Sequence, residues 1–173
     1  MNRKRIFLMI LAVIILVALS FVYFGIVSDN NARIVVKTPS DILKPGDEFN
    51  VAVELENNPG IILFCLFLGY DDTRFEYVSV TKGQVLDEQT LETKADNSDG
   101  LYAVRVTNGF QTDAFAGNGT LYNVRFRVKE DAFFGKSTFS ISYREGDIIG
   151  EPKQPGNRPN NFFPETIDAS VEI

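Results

Sequence analysis

Histidine and tryptophan are absent from all 173 residues, and cysteine occurs once, at Cys65. Without histidine there is no Ser-His or Cys-His route to nucleophilic catalysis, and the commonest general base is missing. A single cysteine forms no intramolecular disulfide, and no Cys-x-x-Cys or Cys/His cluster exists to hold zinc. Carbohydrate clefts often use tryptophan platforms, so a sugar site here would have to rely on tyrosine or phenylalanine. Basic residues are also in deficit, 17 against 23 acidic, and the formal charge of −6 argues against a partner with a phosphate backbone. These absences point away from an enzyme, a cofactor, a bound metal and nucleic acid.

What is present begins with Arg3, Lys4 and Arg5, followed by an apolar run from Ile6 to Val27 broken only by Ser20, Tyr23 and Gly25. Those 22 residues would span roughly 33 Å as a helix, enough to cross a bilayer's hydrocarbon core. A cleaved signal has a shorter apolar region ending in small residues, whereas Tyr23 and Phe24 occupy that stretch. The expectation is an uncleaved signal anchor over residues 1–31, with a long cleaved signal as the alternative. The basic cluster stays cytoplasmic and the rest is exported. Beyond Val27, 14 basic residues face 23 acidic ones, a net of −9.

From Ala32 on, apolar residues recur with period two. "FNVAVEL" places Phe49, Val51, Val53 and Leu55 on one face; "LYNVRFRV" does so with Tyr122, Val124, Phe126 and Val128, leaving Asn123, Arg125 and Arg127 outward. "STFSISYR" aligns Phe139, Ile141 and Tyr143, and the closing segment aligns Ile167, Ala169, Val171 and Ile173. Each reads as a strand with one dry and one wet face. Turn sequences punctuate them at "KPGD" (44–47), "NNPG" (57–60), "NSDG" (97–100), "GNG" (117–119) and "FFGK" (133–136). "EPKQPGNRPNNFFPE" (151–165) holds four of the seven prolines and reads as a long surface loop. The expected fold is all-β: a nine-stranded antiparallel β-sandwich of jelly-roll topology over residues 32–173, preceded by one transmembrane helix.

One strand breaks the pattern. From Ile61 to Leu68, "IILFCLFL" carries no polar side chain, so both of its faces require burial. Around it stands an ordered set of pieces: "KPGDEFNVAVELENNPG" before, then "YDDTRFEYVSVTKGQVL", "SDGLYAVRV", "GNGTLYNVRFRVKEDAFFGKSTFSIS" and "TIDASVEI". Together these resemble the cohesin module of cellulosomal scaffolds, from about Ile34 to Ile173. The resemblance implies a jelly roll without catalytic activity that binds dockerins, small calcium-loaded helical modules appended to polysaccharide-degrading enzymes. It also implies that the partner lies across one sheet, on outward side chains of the third, fifth, sixth and eighth strands. Counting back from Tyr70, Phe64, Leu66, Leu68 and Tyr70 should face the core, and Leu63, Cys65 and Phe67 the dockerin. On the sixth strand, Tyr102, Val104 and Val106 should be buried, with Ala103, Arg105 and Thr107 outward and Asn108 at the strand end. The implied contact set is Leu63, Cys65, Phe67, Arg105, Thr107 and Asn108. Where family members often carry polar residues on the third strand, this chain is apolar, which leaves open what kind of dockerin it reads.

Other readings of the same residues stand beside this one. Phe162 and Phe163 could fold over Leu63, Cys65 and Phe67, and Cys65 reads as a small hydrophobe. Asp71, Asp72, Asp87, Glu88, Glu92 and "KADNSDG" are better explained as turn residues than as calcium ligands. Asn118-Gly119-Thr120 matches a glycosylation sequon but reads as a hairpin turn. For the whole chain, the expectation is a single-pass membrane protein whose extracellular module holds a dockerin-bearing glycoside hydrolase. If the N-terminal segment is cleaved, the module is secreted. The alternatives are a sandwich that binds polysaccharide directly, or an envelope interaction domain.

Overall fold

The computed structural model describes residues 32–86, 91–96, 102–109, 117–151 and 160–173. The expected signal anchor, the 97–100 turn, and Asp87 and Glu88 lie outside the described residues. Among those described there are twelve strands: β1 (Arg33–Lys37), β2 (Glu48–Glu56), β3 (Ile61–Gly69), β4 (Phe75–Lys82), β5 (Leu91–Asp96), β6 (Ala103–Asn108), β7 (Gly119–Val128), β8 (Lys136–Ser142), β9 (Ile148–Gly150), β10 (Asn160–Asn161), β11 (Glu165–Ile167) and β12 (Ala169–Glu172). One short 3₁₀ turn, Gln84–Leu86, follows β4. The first sheet runs β11-β1-β2-β7-β4 and the second β10-β9-β3-β6-β5, with β8 also paired to β3 and β12 to β8.

Two expectations are corrected. Among the described residues the strands number twelve rather than nine because two of them are interrupted and β10 is a further short strand within the stretch expected to be a loop. β8 and β9 follow one another along the same edge of β3, broken by a turn in which Gly146 has φ 85°. β11 pairs with β1 in the first sheet and β12 with β8 in the second. The chain changes sheets at Asp168, whose Oδ1 accepts the Ile141 N–H at 3.0 Å. The sandwich is also not wholly antiparallel, since β1 and β11 run parallel. Part of the proline-rich stretch is strand as well: β10 and the start of β11 fall within it.

The period-two pattern sets the core. Phe49, Val51, Val53 and Leu55 of β2 and Tyr122, Val124, Phe126 and Val128 of β7 are all buried, facing Phe64, Leu66 and Leu68 of β3. Four phenylalanines stitch the sheets together. The Phe49, Phe75 and Phe126 rings come from the first sheet and Phe139 from the second. Phe139 lies 5.1 Å from both Phe75 and Phe126 and 5.9 Å from Phe49. Burying each is worth about 1.5–3 kcal/mol, and each ring pair adds about 0.5–1.5 kcal/mol.

Strand β3 keeps its alternation through a bulge. The register against β9 shifts between Ile61 and Leu63, so Ile61 and Phe64 both reach the core although they are three residues apart. A bulge resets the pleat in this way. Tyr143 is half-buried, as its place in the pattern suggests, and its hydroxyl donates to the Pro164 carbonyl at 2.7 Å. Tyr102 departs from expectation and is exposed. It lies one residue before β6, which begins at Ala103.

Candidate functional site

The outer side of the second sheet is built from register. Phe67 of β3 lies opposite Arg105 of β6 on one side and Ser142 of β8 on the other. Cys65 lies opposite Thr107, and Leu63 opposite Ile149. Because Leu66 pairs with Val106 and both are in the core, Leu63, Cys65 and Phe67 stand on the outward side, as expected from counting back from Tyr70. β5 extends the face, setting Glu92 opposite Thr107 and Lys94 opposite Arg105.

This apolar stripe is not bare. Leu63 and Phe67 are half-buried, and Cys65 is 8% exposed. The Arg105 Nε donates to Cys65 Sγ at 3.2 Å, and the Arg144 guanidinium lies 4.9 Å from the centre of the Phe67 ring. Both arginines thus lay their stems and planar heads along apolar surface while remaining at the edge of water. Thr107 is half-buried and its hydroxyl donates to the Phe64 carbonyl at 2.8 Å. A shallow groove of about 230 Å³ runs beside it, lined by Glu92, Thr93, Lys94, Arg105 and Thr107.

Asn108 is elsewhere. It is buried, 3% exposed, and its amide takes the place of a missing ladder rung. Its Oδ1 accepts the Phe64 N–H at 2.7 Å, while Nδ2 donates to the Ile62 and Gly109 carbonyls at 3.1 and 2.8 Å. The side chain turns inward because regular β3–β6 pairing stops at Cys65 and Thr107, leaving β3 backbone groups that need partners. Asn108 therefore positions β3 and does not present a surface to a partner.

The alternative cover by Phe162 and Phe163 takes a different form. The Phe162 ring lies so close to Gly150 that a Cβ there would sit 1.9 Å from a ring carbon. Phe162 packs against the core cluster at that end of the sandwich, and Phe163 is exposed. Arg144 and Lys94, by contrast, belong to the face and were missing from the expected set. The signal for Arg144 was in the period-two reading of "STFSISYR", which leaves it on the same side as Ser142.

The outer side of the first sheet is different in kind. Arg127 contacts Glu48 at 2.6 Å and Glu76 at 3.4 Å, and Arg125 contacts Glu48 at 3.4 Å. Hydrogen bonding to Glu48, then its charge, raises the Arg127 pKa further above its usual value. Among the described residues, no group of three or more His, Cys, Asp or Glu side chains is placed to hold a metal ion.

Comparison with known proteins follows the same lines. The cohesin domain model matches residues 32–148, more than half of the chain. The chain belongs to the cohesin family. Cohesin domains are non-catalytic modules that bind dockerins. Among solved structures, a non-cellulosomal cohesin from the hyperthermophilic archaeon Archaeoglobus fulgidus is 19% identical, with TM-score 0.63 over 82% of this chain and 90% of that one. The Coh-OlpA-Doc918 type I cohesin–dockerin complex from Clostridium thermocellum gives 20% identity and TM-score 0.66, covering 82% and 98%. A type II cohesin domain from the Acetivibrio cellulolyticus cellulosome gives 13% identity and TM-score 0.61, covering 82% and 95%. At these identities the likeness is one of fold. No curated protein matches the chain.

Proposed function

We propose that this cohesin tethers a dockerin-bearing protein, a polysaccharide-degrading glycoside hydrolase, at the outer surface of the cell membrane. The observation that carries the reading is the apolar stripe of Leu63, Cys65 and Phe67 at the centre of a sheet face, in a family whose modules bind dockerins. A dry centre with a charged edge is the anatomy of a protein interface. The partner would lie across β5, β6, β3 and β8, covering the Leu63 and Phe67 surface that is still open to water. Full burial of such a side chain is worth about 1.5–3 kcal/mol. Contact residues on this reading are Leu63, Cys65, Phe67, Arg105 and Thr107, with Arg144 and Lys94 at the edge. Calcium would reside on the dockerin, and no chemistry takes place on this chain. Anchoring rests on the basic cluster Arg3, Lys4 and Arg5 and the apolar run after it.

The test is calorimetric titration with a panel of dockerins, with and without calcium. Calcium-dependent binding at micromolar or tighter affinity is expected. Phe67→Asp should weaken it by about thirtyfold or more, as for a central interface anchor, while the thermal midpoint stays close to that of the parent chain. A panel without a single binder, or a Phe67→Asp variant that unfolds without a specific binding defect, would remove the docking role from this face.

A further inference from the structure

One motif of the sequence has no part in docking. Asn118-Gly119-Thr120 is the single Asn-x-Ser/Thr in the 173 residues. Its expected place, a hairpin turn, is corrected by the topology. β6 lies in the second sheet and β7 in the first, so the connection that ends at Asn118 crosses between sheets. Asn118 is exposed and stands immediately before β7, in a corner shared with the β2–β3 connection. Asn58 ties this corner together. Its backbone N–H donates to Asn118 Oδ1 at 2.8 Å, and its Nδ2 donates to the Gly117 carbonyl at 3.0 Å. Its own Oδ1 accepts the Gly60 and Ile61 N–H groups, both at 3.0 Å. The two asparagines therefore differ. Asn58 uses both ends of its amide inside the protein, whereas the bond to Asn118 engages the oxygen and not the nitrogen.

Resting on the placement outside the membrane proposed above, we infer that Asn118 is an acceptor of N-linked glycan. The donor is an oligosaccharide joined through diphosphate to a lipid, and an oligosaccharyltransferase reads the Thr120 hydroxyl beside the asparagine. Asn118 Nδ2 attacks the anomeric carbon of the first sugar. A C–N bond forms, the C–O bond to the diphosphate breaks, and the lipid diphosphate leaves with the electron pair. One Nδ2 proton passes to a base on the transferase. Thr120 pairs with Glu54 in the β2–β7 ladder, so transfer precedes that pairing. The folded domain must then keep a bulky, solvated product in water, and the exposed corner does so. The product retains the amide oxygen, so the hydrogen bond from Asn58 is kept. Asn108 shows the contrast: it is also followed by glycine, but it is 3% exposed and Phe110 stands where the hydroxyl is needed. Phe67 lies roughly 20 Å further along β3 by strand rise, so the glycan marks the end of the sandwich and not the centre of the docking face.

The experiment recovers the full chain from the envelope of the cells that encode it and maps its tryptic peptides by fragmentation mass spectrometry. Peptide Val106–Arg125 should carry a sugar mass on Asn118 and none on Asn108 or Asn123. Asn118→Gln and Thr120→Val should lose it completely, and Thr120→Ser should keep it. Where a variant fails to fold, the parent peptide alone decides the assignment. A membrane-impermeant amine-reactive label on intact cells reports separately whether the lysines of the domain face outward. An outward-facing domain whose Asn118 is unmodified overturns the inference and leaves the extracellular placement standing. A domain shielded from the label overturns that placement, and the inference falls with it. Sugar that persists on this peptide in Asn118→Gln or in Thr120→Val also overturns the inference, because the motif would not be what directs it.

Discussion

The two outer sides of this sandwich are made by the same rule and end in opposite states. On the first sheet, outward positions of β2, β7 and β4 hold Glu48, Arg125, Arg127 and Glu76, whose charges meet one another. On the second, outward positions of β3 hold Leu63, Cys65 and Phe67, and the nearest cations lie on or beside apolar groups. A solvated face needs nothing from outside. A face that is apolar at its centre forgoes burial energy until something covers it, and the proposed docking side rests on that asymmetry. Both sides share one core, and its loss is the most damaging change the comparison predicts. Phe126→Ala removes a ring 4.8 Å from Tyr70 and 5.1 Å from Phe139. It should cost about 3–5 kcal/mol in urea unfolding, and docking should fail with it. A smaller loss would mean that the sheets are held mainly by contacts away from this ring cluster.

Next in size is Asn108→Ala, which separates holding the docking strand from touching the partner. The substitution leaves the Phe64 N–H and the Ile62 carbonyl without their side-chain partner inside the protein. The expected cost is about 1–3 kcal/mol of stability. Dockerin affinity of the folded fraction should stay within about twofold of the parent at a temperature well below the midpoint, a margin well under the tenfold that about 1.4 kcal/mol represents. Unfolding curves paired with calorimetry measure both, and a large affinity loss in a fully folded variant would return Asn108 to the contact set.

How far the sequence carried this reading follows from what each feature depends on. The outward triad of β3 was legible because strand alternation is local, and Tyr70 sets the phase. The inward turn of Asn108 was not, because it depends on where the β3–β6 ladder ends, which is a property of two strands. The bulge at Ile62, the change of sheet at Asp168 and the seat of Phe162 on Gly150 are likewise set by pairing between distant segments. Arg144 lay within the segment the period-two rule had been applied to, but only its inward residues were drawn from it, and the strand itself ends at Ser142. Tyr102 failed because the rule was extended one residue before the strand begins, at Ala103.

A smaller effect comes from the core behind β3. Tyr122 is fully buried and stacks at 6.0 Å on Phe64, yet its hydroxyl has no hydrogen-bond partner among the described residues. Tyr122→Phe deletes that hydroxyl and should raise stability by about 1 kcal/mol. The sign of the pH dependence follows from burial, which raises the Tyr122 pKa far above 10, with the Cys65 charge adding to it. The folded state therefore holds the proton that the unfolded chain releases near pH 10. Stability from this group is whole below that pH and is lost above it, at up to about 1.4 kcal/mol per pH unit. Tyr70 and Tyr143 are raised in the same direction, so the variant should show a shallower alkaline decline rather than none. An unchanged slope above pH 10 would mean that Tyr122 meets water in solution.

The smallest expected effect is the sharpest check on the comparison. Arg127 has the shortest ion pair on the first sheet, 2.6 Å from Glu48, but it stands in water. Solvent screens both partners and ordering two long side chains offsets much of the attraction. Arg127→Ala should be indistinguishable from the parent in urea unfolding and in dockerin titration. Arg144→Ala, also exposed, should be equally silent in unfolding but should change dockerin affinity, because its guanidinium lies over the Phe67 ring at the centre of the proposed docking face. Both substitutions remove one guanidinium from the surface of one sheet, so total charge cannot account for a difference between them. If the two behave alike in binding, the charged edge of the second sheet is no more than solvated surface and the stripe of Leu63, Cys65 and Phe67 acts without it. If only Arg144→Ala is felt, the two sides differ in function as they do in composition.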